Sequence, residues 1–360
     1  MVAYVTEQGC SIAREGERLL IKKGKTVLHT LHMFKLDQLV LCGNVLLTPP
    51  ATFYLLAQGV DTVFMTAGGR YRGRLQPPLS KNITLRCEQF KQLSDPQTAL
   101  ATARSIVVGK IGNLRASLMR LNRSRDGLSL EDHILGLKKL AERSSTASDL
   151  DSLRGFEGRS AVIYFQGFGQ GFLAAGVTFE KRVRRPPTDP VNALLSLGYT
   201  LLFNTVMAAV SQVGFDPYLG ALHSVEYGRP SLPLDLMEEW RPVIVDALVL
   251  SVFNTRAITL QDFIVQRPSR EHLEDAPGDE EDWEGDAEDG AKAPAVLPVR
   301  LTDAGFKKFL AQFERKMADK VRHHLTGRQL SYRDCIREQV RQFARVIRRE
   351  ESGYQPMPWR

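Results

Sequence analysis

From Pro190 to Phe215 the chain carries no charged residue, and this run limits the fold more than any other stretch. It is long enough to cross a membrane. Yet Asn192, Ser196, Asn204, Thr205, Ser211 and Gln212 are scattered through it, and Gly198 interrupts it. It is therefore read as a buried central helix, with Thr188 or Asp189 as its cap and Pro190 near its start. A helix without a polar face needs a sizeable core around it. The 360 residues and 43% hydrophobic content allow such a core beside a second, smaller domain.

Residues 1 to about 85 have a different character. Short apolar or β-branched runs at Tyr4–Thr6, Ser11–Arg14, Leu19–Lys22 and Thr26–Leu31 are separated by EQG, REGE and KKGK, each suited to a tight turn. Leu39–Cys42 and Val45–Leu47 continue the pattern. TPPATFYLLAQG predicts one short helix, with prolines at its start and Gly59 at its end. A last hairpin joins Thr62–Thr66 to Tyr71–Leu75. His29 and His32 are read as structural or surface residues.

From about residue 95 the pattern is helical. Thr98–Leu121 places Leu100, Ile106, Val107, Ile111, Leu114 and Leu118 at helical spacing, with Arg104, Lys110, Arg115 and Arg120 as its basic residues. A second helix covers Leu130–Ser144, and Ser148 or Asp149 caps a third that carries LRGFEGRSAVIYFQGF. Glu157 sits in that third helix between Gly155 and Gly158, where an ion pair with Arg154 or Arg159 would explain it as well as a functional role. Toward the end, LTDAGFKKFLAQFERKMADKVRHHL and YRDCIREQVRQFARVIRRE predict two basic amphipathic helices, with His323 and His324 at the surface.

The net charge of +7 understates how basic the body is. Glu274 to Asp289 holds 10 acidic and no basic residues; without it, 48 Lys and Arg face 31 Asp and Glu. The acidic stretch, from about 274 to 298, suits a solvated, disordered insertion. The basic remainder suits a polyanionic partner, nucleic acid rather than membrane. Cys10, Cys42, Cys87 and Cys335 form no CxxC pair, which argues against a zinc ribbon and suits a reducing compartment. No signal peptide is visible, so a cytoplasmic location is expected.

The stretch FDPYLGALHSVEYGRPSLPLDLMEEWRPVIVDALV, residues 215–249, concentrates the candidate chemistry. His223 lies in a Gly- and Pro-marked loop ahead of a helix that starts near Ser231 or Pro233. Asp235 and Glu238, three apart, would share a face of its first turns, where the macrodipole favours negative charge. With Glu157 they allow a site of two carboxylates and one imidazole, which accommodates Mn²⁺ well and Mg²⁺ less readily.

Four ordered motifs together resemble one family: FEGRSAVIYF at 156–165, PPTDPVNALLSLGYTLL at 186–202, GFDPYLGALHSVEYGRPSLPLDLMEEWRP at 214–242, and a tail ending in YQPMPWR. The opening YVTEQGCSIAREGERLLIK is similar to the same family's first strands. The family is the CRISPR-associated integrase, the metal-dependent DNA endonuclease of spacer acquisition. The resemblance implies an α+β multidomain protein: a small β-sandwich-like N-terminal domain, residues 1–88, that pairs in a homodimer, then an all-α catalytic domain, residues 89–360.

The resemblance also places metal ligands at Glu157, His223 and Glu238, with Asp235 supporting the site, and Mg²⁺ or Mn²⁺ as the ion. It implies double-stranded DNA as substrate, both the spacer precursor and the CRISPR repeat. A small ferredoxin-like CRISPR-associated partner would complete a heterohexamer. Arg229, Arg241 and the basic tail helices are candidate DNA contacts. A non-catalytic DNA-binding scaffold of the adaptation complex, or a metal-dependent nuclease acting also on RNA, are the competing functions.

Overall fold

The computed structural model describes residues 1–76, 82–125, 127–183, 186–265 and 297–359. Of the acidic insertion expected at 274–298, residues 274–296 lie outside that set. The chain divides into two units, Met1–Leu79 with Leu301–Lys307, and Ser80–Arg300 with Lys308–Arg360.

In the first unit, short apolar and β-branched runs build strands β1 (Val2–Val5), β2 (Cys10–Glu15), β3 (Arg18–Lys23), β4 (Thr26–His32), β5 (Gln38–Cys42), β6 (Val45–Leu47), β7 (Asp61–Met65) and β8 (Tyr71–Leu75). They form two four-stranded sheets, ordered β1-β5-β7-β8 and β4-β3-β2-β6. Helix α1 (Pro49–Gln58) starts on its two prolines and stops at Gly59, whose φ of 65° a side chain would resist. Ile12 and Leu19 of one sheet, Leu39 and Leu41 of the other, and Leu55 of α1 meet in a single buried cluster. Strand positions are local and match the sequence pattern. The parallel pairings β1–β5, β5–β7 and β2–β6 are not local, and no turn signal marks them. His29 and His32 are exposed on β4, as expected.

The second unit is built mainly from helices: α2 (Ile83–Leu93), α3 (Pro96–Arg123), α4 (Glu131–Ser145), α5 (Leu150–Gly169), α6 (Pro190–Val213), α7 (Ser231–Met237), a π-helical turn (Arg241–Asp246) and α8 (Ala247–Asn254). Helices α9 (Asp303–Ala318) and α10 (Tyr332–Ile347) follow. Residue 88, the expected end of the β domain, falls inside α2. Three aspartates cap helices as short-range chemistry dictates. Asp95 accepts from the Thr98 N–H at 2.9 Å, Asp149 from Ser152 at 2.7 Å and Asp189 from Asn192 at 2.8 Å. In α6, 89% of the most apolar 18-residue window is buried. It packs on α7, the π-helical turn and α10, while α3, α4 and α5 pack on one another and α3 also reaches the π-helical turn.

Two expectations are corrected. The second unit is not purely helical: β9 (Phe263–Val265) pairs with β10 (Val299–Leu301), and β11 (Lys320–Arg322) runs antiparallel to β12 (Gln329–Ser331). The basic helix expected to reach residue 325 stops at Ala318, because the chain turns back through the β11–β12 hairpin. That turn buries His323 completely instead of leaving it at the surface. Its Nδ1 accepts from the Thr326 N–H at 3.3 Å and its Nε2 donates to Gln339 Oε1 at 3.1 Å. Burial lowers its pKa, in keeping with the neutral ring these bonds require.

Candidate active site

Lys110 of α3 is only 7% exposed. Its ammonium contacts Glu157 of α5 and Glu238, the residue that follows α7. Carboxylates far apart in sequence thus meet through one buried cation. Arg241 adds a second positive charge, with Nε 3.2 Å from Glu238 Oε1 and its guanidinium stacked 4.7 Å from the Tyr199 ring centroid. Burial by itself would lower the lysine pKa, but Glu157 and Glu238 more than offset it and hold the ammonium above its ordinary value. Burial likewise pushes Glu238 up, yet Arg241, Lys110 and His223 together bring it down to about 2. Glu157 meets Lys110, while Arg154 turns to Asp151 at 2.9 Å and donates to the Leu222 carbonyl at 2.9 Å.

Asp235 has a different task from Glu238. It is fully buried, and both of its oxygens are engaged by the loop before α7. Oδ2 accepts from the N–H groups of Ala221 at 2.5 Å and Leu222 at 3.0 Å; Oδ1 accepts from the His223 N–H at 3.0 Å and ring Nδ1–H at 2.6 Å. The approach needs Gly220, since a Cβ there would lie 2.5 Å from Asp235 Oδ2 and 2.8 Å from the Ser231 carbonyl carbon. With its proton on Nδ1, His223 keeps the Nε2 lone pair for a ligand or proton. Asp235 is thus a positioning residue.

The helix-dipole expectation fails here. Asp235 is the fifth residue of the seven in α7 and Glu238 follows its last, so neither sits in the first turn. Lys110 and Arg241 compensate Glu238 instead. Among the described residues no three His, Cys, Asp or Glu side chains are gathered closely enough to hold a metal ion. The donor set still suits a cation. Glu238 Oε2 is buried, and the Lys110 ammonium is the partner that balances it.

The two arginines expected to contact DNA are both buried. Arg229 braces the histidine loop, with Nη1 3.0 Å from Glu226 Oε1 and 2.9 Å from Ser224 Oγ. Arg241 serves Glu238 as described. At the end of α10, Arg337, Arg341, Arg345 and Arg348 line a cavity of about 470 Å³ against α6 together with Glu350, and the first three of them pair with Asp334, Glu338 and Glu351.

Behind the site, Glu239 faces the C-terminal tail. Its Oε1 is hydrogen-bonded to Tyr354 Oη at 2.6 Å, and its Oε2 accepts from the Met357 N–H. The Asn113 side chain donates to the carbonyls of Glu239 at 2.8 Å and Met357 at 2.9 Å. Burial pushes the Glu239 carboxyl up to about 8 despite hydrogen bonds from Tyr354, Met357 and Gln339. Sequence reasoning missed Lys110 and this tail. A signal for Lys110 was present: it falls in the stripe of Ile106, Val107, Ile111 and Leu114, where a charge needs a partner.

Two carboxylates on one buried cation, beside an aspartate-held histidine in a helical unit that follows a β unit, are the features of an acid–imidazole enzyme site. Residues 3–276 match the family model described as CRISPR associated protein Cas1, and the chain belongs to that family. It is 36% identical over 357 residues to a CRISPR-associated endonuclease Cas1 of Thermus thermophilus, covering 99% of this chain and 96% of that one. A second such endonuclease, from Rhodospirillum rubrum, is 33% identical, with 99% and 98% covered. Among solved structures, a Cas1 protein from Thermotoga maritima superposes with a TM-score of 0.78 at 22% identity over 98% of this chain and 99% of that one. A casposase bound to its integration product gives 0.79 at 21% identity over 100% and 94%. At such identities the structural likenesses speak for the fold alone.

Proposed function

We propose that this Cas1 protein works as a metal-dependent DNA integrase, joining a short DNA fragment to a CRISPR repeat. As a member of the Cas1 family it is a CRISPR-associated endonuclease of spacer integration. The observation that carries the metal-dependent mechanism is the convergence of Glu157 and Glu238 on one buried cation position, next to a His223 locked by Asp235. Glu157, Glu238 and His223 Nε2 would hold a divalent ion, Mn²⁺ or Mg²⁺, which when bound supplies Lewis-acid polarisation of the scissile phosphate. Asp235 fixes the histidine tautomer, and Arg241 neutralises part of the Glu238 charge. The α10 arginines offer positive charge to DNA phosphates, a contact that weakens steeply with salt.

The reaction is a transesterification. The 3′-oxygen of the incoming fragment loses its proton and bonds to a repeat phosphorus. The bridging 3′-oxygen of the repeat leaves and takes up a proton. Fixing both DNA segments in line supplies much of the acceleration.

For the assembly, the exposed Val27 and Leu28 of edge strand β4, with Phe34 at 81% exposure, favour pairing of two copies through the β unit. One similar solved chain belongs to a Cas6-RT-Cas1–Cas2 complex. It has a TM-score of 0.80 and 24% identity, covering 99% of this chain and 36% of that longer one. A small ferredoxin-like partner of the Cas2 kind is accordingly part of the proposal. Four free cysteines, three of them buried, suit the cytoplasm.

The test is strand transfer. The protein, with and without such a partner, receives a duplex with 3′-hydroxyls and a supercoiled plasmid carrying a repeat, in Mn²⁺, Mg²⁺ or EDTA. Metal-dependent joining that disappears in Glu157→Ala supports the proposal. DNA binding without joining under every metal condition overturns it in favour of a scaffold. Equal cleavage of matched RNA would extend the substrate class.

A further inference from the structure

The two carboxylates that face each other in the candidate site are met by two cations of the chain itself. Glu157 and Glu238 bring two negative charges, Lys110 and Arg241 two positive ones, and the pairs are in contact. We infer that Lys110 is a resident counter-ion: its ammonium occupies the cation position between Glu157 and Glu238, and a divalent ion enters by displacing it.

Three observations support this role. Lys110 reaches both carboxylates at once and so occupies the position where their charges converge. Its aliphatic stem rises from the apolar stripe of α3, and Gly109 beside it is closed off by Pro356, against which a Cβ would collide. Lys110 is 7% exposed, and its ammonium rests on Glu157 and Glu238 rather than in solvent. Finally, the Lys110 ammonium is the partner of the buried Glu238 Oε2, so removing Lys110 leaves that oxygen without compensation unless another cation takes its place.

Two consequences follow from the charge balance. With the Asp235 carboxylate behind His223 counted, the five charges sum to −1, so a divalent ion brings the site to +1, which a DNA phosphate then reduces. Metal and DNA should therefore bind cooperatively, each strengthening the other by the same factor. Deleting the Lys110 charge leaves the site at −2, so metal should bind well without DNA. Lys110 is in this sense a positioning residue. It keeps the empty site folded and sets the affinity for the ion.

The inference rests on the metal site proposed above, and calorimetry with Mn²⁺ alone separates the two. The expected result is that Lys110→Met binds Mn²⁺ on the order of tenfold tighter than the wild type without DNA. Its melting temperature without metal should be lower, and Mn²⁺ should restore it. Equal or weaker Mn²⁺ binding by folded Lys110→Met, with binding by the wild type intact, overturns the counter-ion role alone. No Mn²⁺ binding by either protein, or binding that Glu157→Gln leaves unchanged, overturns the metal site itself. If Lys110→Met does not fold without metal, Lys110→Gln is titrated instead, and the same outcomes decide. Wild type measured with and without a short DNA duplex gives a second readout: Mn²⁺ affinity that DNA leaves unchanged also overturns the inference.

Discussion

Glu238 and Glu239 are neighbours in sequence and both are almost wholly buried, yet they face opposite sides of the same turn and end in opposite states. Glu238 meets Lys110 and Arg241 and is held down to about 2; Glu239 meets a tyrosine hydroxyl and a backbone N–H and is pushed up to about 8. Burial raises both. The difference is the kind of partner: full charges overcome desolvation, while neutral donors do not. One side of the turn is thus built to hold a cation, the other to hold the chain's own tail.

The comparison can be broken most directly at Glu238. Glu238→Gln should destabilise the protein by about 3–5 kcal/mol, because Lys110 and Arg241 lose their shared counter-charge, and should abolish strand transfer. Urea denaturation and the joining assay read both effects. Asp246 extends the contrast to a third buried carboxyl. Burial raises it to about 6 although Tyr199 donates to it at 2.6 Å. Its folded value lies above the ordinary 3.8, so between those values the folded protein binds more protons than the unfolded chain. That contribution to stability is greatest below pH 4 and is lost as pH rises through 6. Relative to the wild type, Asp246→Asn should gain up to about 3 kcal/mol between pH 4 and 7 in denaturation curves.

Smaller effects sharpen the same contrast. Asp235→Asn puts an amide N–H against loop donors and loosens His223. Mn²⁺ affinity and joining should fall about 10- to 100-fold, with the fold retained by circular dichroism. Tyr354→Phe removes one partner of Glu239 and should cost about 1–2 kcal/mol of stability, measured by urea denaturation. Glu239→Gln should stay within about 1 kcal/mol of the wild type at pH 7. The amide oxygen can accept from Met357 while the amide N–H donates to Tyr354 Oη, as a protonated carboxyl would. A large loss there would show that Glu239 is charged and that its difference from Glu238 lies elsewhere.

Much of this molecule was legible in its sequence. The strands of residues 2–75 followed from apolar and β-branched runs between turns, and the caps at Asp149 and Asp189 were among the alternatives the sequence offered. Glu157, His223 and Glu238 were named as candidate ligands through the motifs that hold them, and Glu157 and Glu238 meet at Lys110. What each of them touches was harder to see. The ordinary partner for Glu157 was Arg154 or Arg159, on its own helix; the actual one comes from α3. His323 read as one more surface residue on a basic helix until the β11–β12 hairpin folded it inward.

The division has a physical cause. Capping and turn formation act within about four residues, so the chain's order indicated where most of the helices and the strands of the first unit lie. The same order determined that the run from Pro190 to Phe215 had to be enclosed. Whether a buried charge meets an opposite charge or a neutral donor depends on elements a hundred residues apart, and only the packing of α3 and α5 around the end of α7 decided it. Desolvation makes that decision costly to reverse, which is why Lys110, an ordinary lysine by sequence, lies at the centre of the site.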